Sequence, residues 1–165
     1  EICDSDWKDL TIERLPEIPN FTLLVGWTGQ VAITDSLIQA TEKKRKVATD
    51  SAFYKGFLGK SHAIVQGLQS AWNIQDIPAL QEGIRANRAL LNEFAKVMQL
   101  EIETPALQTL CDLAEQVGAC AKTSGAGGGD CGICFTKNET ERKQIEKQWA
   151  KAQIQVLPLT IAEAW

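Results

Sequence analysis

The chain alternates between short apolar runs and long amphipathic stretches, and that alternation predicts its elements. Residues 21–27, FTLLVGW, are a brief apolar run rich in strand formers, with Pro16 and Pro19 as turn punctuation ahead of it. From about residue 35 to 118 the period changes. Phe53, Phe57, Ile64, Leu68 and Trp72 recur at multiples of helical spacing, with Lys, Gln and Ser between them. Leu80, Ile84, Leu91, Phe94 and Met98 make a second stripe, and Leu107, Leu110, Ala114 and Val117 a third. Each stripe predicts an amphipathic helix with one face to bury. Asp76 before Pro78 and Thr104 before Pro105 have the cap-then-proline order of a helix start, and Gly118 supplies a stop for the third helix.

After residue 118 the pattern changes back. Ala119–Thr123 is short and mostly small or apolar; a glycine cluster follows, then CGICFTK at 131–137. Asn138, with Glu141 further along, predicts a capping box opening a helix whose inner face carries Ile145, Trp149 and Ala152. Ile154–Leu159 is a final strand candidate. The predicted order is strand, three or four helices, strand, strand, helix, strand. Apart from the helical insertion this is βαββαβ, an α+β, ferredoxin-like arrangement of an antiparallel sheet with helices packed on one face. No internal repeat and no domain-splitting linker interrupts it, so residues 1–165 are expected to form one domain.

Composition narrows the class. The 165 residues are 44% hydrophobic and 23% charged, which excludes a disordered acidic tail, a collagen-like repeat and a disulfide-dense mini-protein. No apolar run approaches the roughly 20 residues of a membrane helix, so no membrane span is expected. With 17 Lys and Arg against 21 Asp and Glu, the net charge of −4 disfavours general nucleic-acid binding, which needs an excess of cations. The first residue is Glu1 rather than Met, as in a processed product or a piece of something longer. Cys3, Cys111, Cys120, Cys131 and Cys134 are odd in number and follow no signal-peptide-like start, which points to a reducing, cytoplasmic compartment. The sequons at Asn20 and Asn138 are then chance matches. Cys131 and Cys134 form a C-x-x-C, but with no second pair they read better as small core residues than as a redox or zinc site.

The segment with the clearest chemistry is Lys122-Thr-Ser-Gly-Ala-Gly-Gly-Gly-Asp130, where four of the chain's 12 glycines fall within five positions. A flexible linker is one reading, but the flanks are strand-like and apolar rather than polar. The favoured reading is a loop whose backbone N–H groups approach an anion, most often phosphate. Ser124 adds a hydroxyl, and Lys122 adds positive charge if its side chain points the same way. Asp130 would cap the loop, orient a donor or meet a metal. The spacing matches neither a Walker A loop nor G-x-G-x-x-G. A second candidate, Gly26-Trp27-Thr28-Gly29 continuing to Thr34, reads more simply as a strand end leading to a helix capped by Thr34 or Asp35. Glu42-Lys43-Lys44-Arg45-Lys46 reads as a solvated helix face, and His62 as an ordinary helical residue. Catalytic triads, H-E-x-x-H motifs and paired helical carboxylates are absent from the sequence.

The run from Lys122 to Ile133 resembles the third conserved motif of the GHMP kinase superfamily, and its Gly-Asp-Cys ending is similar to that of the bacterial phosphomevalonate kinase branch. LLVGWTG at 23–29, ALQTLCDLAE at 106–115, and Trp149 followed by Leu157-Pro158-Leu159 resemble that branch in the same order, so the likeness covers roughly residues 7–160. Gln30-Val31-Ala32-Ile33 departs from it, because the branch tends to have small and hydroxyl residues there.

The resemblance implies a ferredoxin-like C-terminal lobe of a two-lobed kinase. The Pro-x-x-x-Gly-Leu-Gly-Ser-Ser loop that binds ATP in such enzymes belongs to the N-terminal lobe and is not found in this sequence; the acidic residue and lysine that assist phosphoryl transfer also lie upstream. No catalytic residue is therefore expected here. What carries over is the phosphate- and substrate-binding loop Ser124, Gly125, Ala126, Gly127, Gly128, Gly129 and Asp130, with Lys122, Thr28 and Thr34 as weaker substrate-side candidates and no metal ligand. The implied whole enzyme uses ATP and Mg²⁺ to phosphorylate 5-phosphomevalonate to 5-diphosphomevalonate, with the N-terminal lobe as this chain's partner. Alone, the chain is expected to be inactive and to expose apolar surface around the glycine loop and Trp27. Another GHMP member, such as mevalonate kinase or diphosphomevalonate decarboxylase, and a non-catalytic module binding a phosphorylated metabolite are the alternatives.

Overall fold

In a computed structural model the described residues are 15–30, 52–125 and 127–159. They form, in chain order, β1 (Thr22–Trp27), α1 (Ala52–Asn73), α2 (Ile77–Met98), α3 (Pro105–Gln116), β2 (Cys120–Thr123), β3 (Cys131–Thr136), α4 (Glu139–Lys151) and β4 (Gln155–Val156). The strands pair antiparallel in the order β2-β3-β1-β4. This is a ferredoxin-like sheet with α1 and α2 inserted after its first strand, as the element order predicts. None of the described helices is long and apolar enough to cross a membrane.

Two glycines decide where the helices sit on the sheet. Gly26 of β1 lies directly opposite Gly132 of β3, which leaves a trough on one face. A Cβ at Gly132 would stand 2.6 Å from Leu110 Cδ2, and one at Gly26 would stand 2.7 Å from Trp149 Cζ3. The trough is thus filled by Leu110 of α3 and Trp149 of α4, both with no exposed surface. The Trp149 indole donates to the Leu110 carbonyl at 3.0 Å, so its buried N–H is satisfied and the two helices are tied together. Leu24, Ala121 and Cys134 from the sheet, with Cys111, Ala114, Ile145 and Ile154, complete this core.

The helical insertion covers a different part of the sheet. Phe135 points away from Cys134, because successive strand residues face opposite sides. It stacks on Phe21 at 5.0 Å, and Trp72 of α1 meets both rings edge-on. Helix α2 packs beside β2. Its Gln81 and Arg85 side chains donate to the Gly118 and Ala119 carbonyls, each at 3.1 Å, and Arg85 pairs with Glu115 at 2.7 Å. Helices are therefore not confined to one face.

Local signals account for most element ends. Asp76, Thr104 and Asn138 each accept from the backbone N–H of the residue three further on, at 3.0, 3.4 and 2.9 Å. The Glu141 carboxylate differs from a capping box in accepting the Lys137 N–H, one residue ahead of the cap. Gly118, at φ 87°, donates to Glu115 while Ala119 donates to Ala114, the paired bonds of a Schellman stop. The last strand is shorter than Ile154–Leu159. Leu157 donates to Val25, but the next N–H that could reach β1, that of Leu159, turns back to the Leu157 carbonyl at 2.8 Å. Cys131 and Cys134 are free thiols on opposite faces of β3, and Cys111, Cys120 and Cys134 are buried as small core residues. The predicted caps at Thr34 and Asp35, the basic run at 42–46 and Cys3 lie outside the described residues.

Candidate functional site

Because β2 and β3 are antiparallel neighbours, the glycine segment is the loop of a hairpin. The Ser124 N–H donates to the Cys131 carbonyl at 2.9 Å and closes the last rung. Beyond it the backbone turns into a conformation that side chains resist. Gly125, Gly127, Gly128 and Gly129 have φ of 66, 78, 85 and 121°. A non-glycine residue held in such a region costs about 1–3 kcal/mol, so the composition of the loop follows from its shape.

Two neighbouring segments hold the loop. On one side the Gly128 N–H donates to the Ile102 carbonyl at 2.9 Å. A Cβ on Gly127 would stand 2.3 Å from that same oxygen, so backbone passes backbone at a distance only glycine permits. On the other side Thr28, just past β1, meets the Gly129 and Asp130 carbonyls with its hydroxyl and donates its N–H to Asp130 at 3.0 Å. Gln30 lies against Gly129 from the same side. Among the described residues no acceptor meets the N–H groups of Gly125, Gly127 or Gly129. Backbone N–H groups left unbonded in a clamped glycine loop are donors of the kind that phosphate oxygens accept from.

The candidate residues separate into different places. Ser124 is half-buried at the loop entrance, and its hydroxyl has no partner among the described residues. Lys122 lies on β2, with its ammonium donating to the Thr123 carbonyl at 2.8 Å. Burial holds its pKa below the ordinary lysine value. An ammonium has three donors, and the Thr123 carbonyl occupies one of them. Asp130 is exposed, with its carboxylate near the Cys131 thiol at 3.7 Å. That thiol is pushed up first by burial and then by the Asp130 charge. Thr28 clamps the loop through its hydroxyl, which is a positioning contact. Ala126 and Thr34 lie outside the described residues.

Sequence reasoning missed the segment that carries the loop's other wall. Thr104 is recognisable as a helix cap, but its methyl also lies near Gly129, 3.5 Å from where a Cβ would sit. Ile102 leaves no motif, because its contribution is a main-chain carbonyl that any residue supplies. The expected apolar exposure is also elsewhere. Trp27 is half-buried, and the large exposed apolar side chains among the described residues are Leu15, Leu58, Val65, Ile74, Val97 and Leu159. Those on α1 and α2 belong to the insertion rather than to the loop.

Residues 65–155, more than half the chain, match the family model described as "GHMP kinases C terminal". The chain is similar to the phosphomevalonate kinase of Streptomyces sp. (strain CL190), 38% identical over 158 residues that cover 94% of this chain and 42% of that protein. Among solved structures it resembles the Lin0012 protein from Listeria innocua, with a TM-score of 0.85 and 35% identity over 94% of this chain and 43% of that one. It also resembles the Streptococcus pneumoniae phosphomevalonate kinase in complex with phosphomevalonate and AMPPNP, with a TM-score of 0.71 and 30% identity over 82% of this chain and 37% of that one. The chain therefore spans less than half the length of these relatives. Taken with the ferredoxin-like strand order and the clamped glycine hairpin, the family match means that the chain belongs to the GHMP kinases and corresponds to their C-terminal region.

Proposed function

We propose that the chain, residues 1–165, is the C-terminal lobe of a cytoplasmic phosphomevalonate kinase, which transfers the γ-phosphoryl group of ATP to 5-phosphomevalonate. The observation that carries the reading is the glycine hairpin. Its left-handed glycines leave N–H groups unbonded among the described residues, on a loop held from both sides. The 38% identity to a phosphomevalonate kinase supports this particular substrate over those of other superfamily members.

The fit to the reaction is physical. Phosphoryl transfer asks a protein for positioning and for stabilisation of charge on phosphate oxygens, more than for covalent chemistry. Donors fixed before the substrate arrives need no reorganisation as charge develops. In this reading Gly125, Gly127 and Gly129 present N–H groups to a phosphate, Ser124 adds a hydroxyl, and Lys122 adds positive charge from the base of β2. Asp130 is placed by its backbone rather than by its carboxylate. Mg²⁺, which such kinases use with ATP, finds no set of ligands among the described residues, where no group of three His, Cys, Asp or Glu side chains converges. The metal ligands and the residues that activate the acceptor are assigned to an N-terminal lobe.

The test uses the full-length protein with ATP-Mg²⁺ and a panel of acceptors. ADP release with 5-phosphomevalonate, and little with mevalonate or 5-diphosphomevalonate, is the expected outcome. A preference for either of the other two would replace the substrate, and no turnover with any of them would leave a binding module as the better description. The 165-residue chain alone is expected to release no ADP.

A further inference from the structure

The glycine loop rests on the short connector between α2 and α3, and the connector's own position is set by a charge cluster that does not touch the loop. The Glu103 side chain is only 6% exposed. Both its oxygens accept from Arg88 Nε, at 3.1 and 3.0 Å, and Arg88 Nη2 donates to it as well. Asn92 donates to Glu103 Oε2 at 2.6 Å. Arg88 is itself shared with Asp112 of α3 at 2.9 Å. A forked guanidinium gripping a nearly buried carboxylate fixes orientation as well as distance.

The residues on either side of Glu103 meet the loop. The Ile102 carbonyl accepts the Gly128 N–H, and the same oxygen stands where a Gly127 Cβ would be. The Thr104 methyl packs toward Gly129. Glu103 reaches α2 while its immediate neighbours reach the hairpin. Moving its carboxylate therefore moves the wall against which the loop is shaped.

We infer that Arg88 and Glu103 are positioning residues for the glycine loop: their ion pair sets the Ile102–Thr104 wall and so holds the loop backbone in its clamped conformation. The inference concerns the site of the proposed kinase and rests on that reading for its kinetic consequence, but not for its structural one. Asp112, half-exposed and bonded to Arg88 from α3, provides an internal control. It shares the guanidinium without belonging to the connector.

The experiment compares wild type, Glu103→Gln, Asn92→Ala and Asp112→Asn in the full-length protein, with amide hydrogen exchange resolved at Gly128, whose N–H the Ile102 carbonyl accepts, and steady-state kinetics with 5-phosphomevalonate. Glu103→Gln is expected to speed exchange at the loop about tenfold or more, with α1 and the sheet core unchanged. Its kcat/KM should fall about 10–100-fold, within the range that misplacement of a binding group produces. The loss should lie mainly in KM for the acceptor, and Asp112→Asn should have little effect on either measurement. Asn92→Ala, which removes one surface hydrogen bond and folds more safely, should show the same pattern on a smaller scale. Unchanged loop exchange in both Glu103→Gln and Asn92→Ala would overturn the inference, as would acceleration spread evenly over the domain, because a merely stabilising pair would act that way. If wild type proves inert toward 5-phosphomevalonate, the proposed substrate fails while the exchange pattern still decides the positioning role.

Discussion

Glycine serves two different purposes in this molecule, and the sheet and the hairpin loop show them side by side. In the sheet, Gly26 and Gly132 have ordinary strand geometry, and glycine is needed because Leu110 and Trp149 occupy the space of a side chain. In the loop, Gly127 needs both freedoms: a left-handed backbone and room beside the Ile102 carbonyl. Gly29 is a third case, left-handed at φ 78° with open space around its Cβ position. Packing glycines act on stability, whereas in the proposed reading clamped-loop glycines act first on the donors offered to a phosphate. The same residue type thus reports on the core in one place and on the site in the other.

The comparison is tested most severely at the helix that fills the trough. Trp149→Ala should destabilise the fold by about 3–5 kcal/mol, as large-to-small changes at buried aromatics do, measured as a shift in the urea midpoint. A change below about 1 kcal/mol would mean that the trough does not organise the core.

Gly127→Ala should act on function instead. With the Cβ position 2.3 Å from a backbone oxygen, the loop must move. The expected loss in kcat/KM of the proposed full-length kinase is about a hundredfold, as for a displaced binding group, beside a stability cost of about 1–3 kcal/mol from the left-handed backbone. A large drop in stability with unaltered kinetics would reverse the assignment of the two regions.

Gly132→Ala and Gly29→Ala then separate space from backbone. The first adds a methyl against Leu110 in a standard strand conformation and should cost about 1–3 kcal/mol, the range for overpacking. The second adds strain without a clash and should cost about 1–2 kcal/mol, the left-handed penalty. If Gly29→Ala proves the more damaging, backbone strain beyond the end of β1 outweighs packing within β3.

The smallest effect concerns the thiols beside the loop. Cys111, Cys120 and Cys134 are pushed up by burial and should resist alkylation in the native state. Cys131 is partly exposed, with its pKa raised by burial and then by Asp130. Because only the thiolate reacts, its alkylation should rise with pH through and above the usual thiol range. Asp130→Asn should lower that pKa and speed the reaction at neutral pH by less than about tenfold, since one full pKa unit is about 1.36 kcal/mol. Faster labelling of Cys134 than of Cys131 would contradict the facing of β3.

The amino-acid pattern by itself determined the element order, the caps at Asp76, Thr104 and Asn138, the stop at Gly118 and the identity of the loop as an anion-binding candidate. These are local properties, carried by side-chain period, backbone freedom and hydrogen bonds over a few residues. The glycines of the loop were legible for the same reason, since a left-handed backbone demands them wherever the chain later folds. Only the tertiary structure decided that α2 runs beside β2, that Gly26 faces Gly132, and that Thr28 clamps the hairpin instead of standing free. It alone brought in Ile102, through a carbonyl that every residue possesses, and Glu103, through a partner 15 positions away. Contacts of that kind depend on which segments meet, and long-range meeting is set by packing as a whole rather than by any short pattern in the chain.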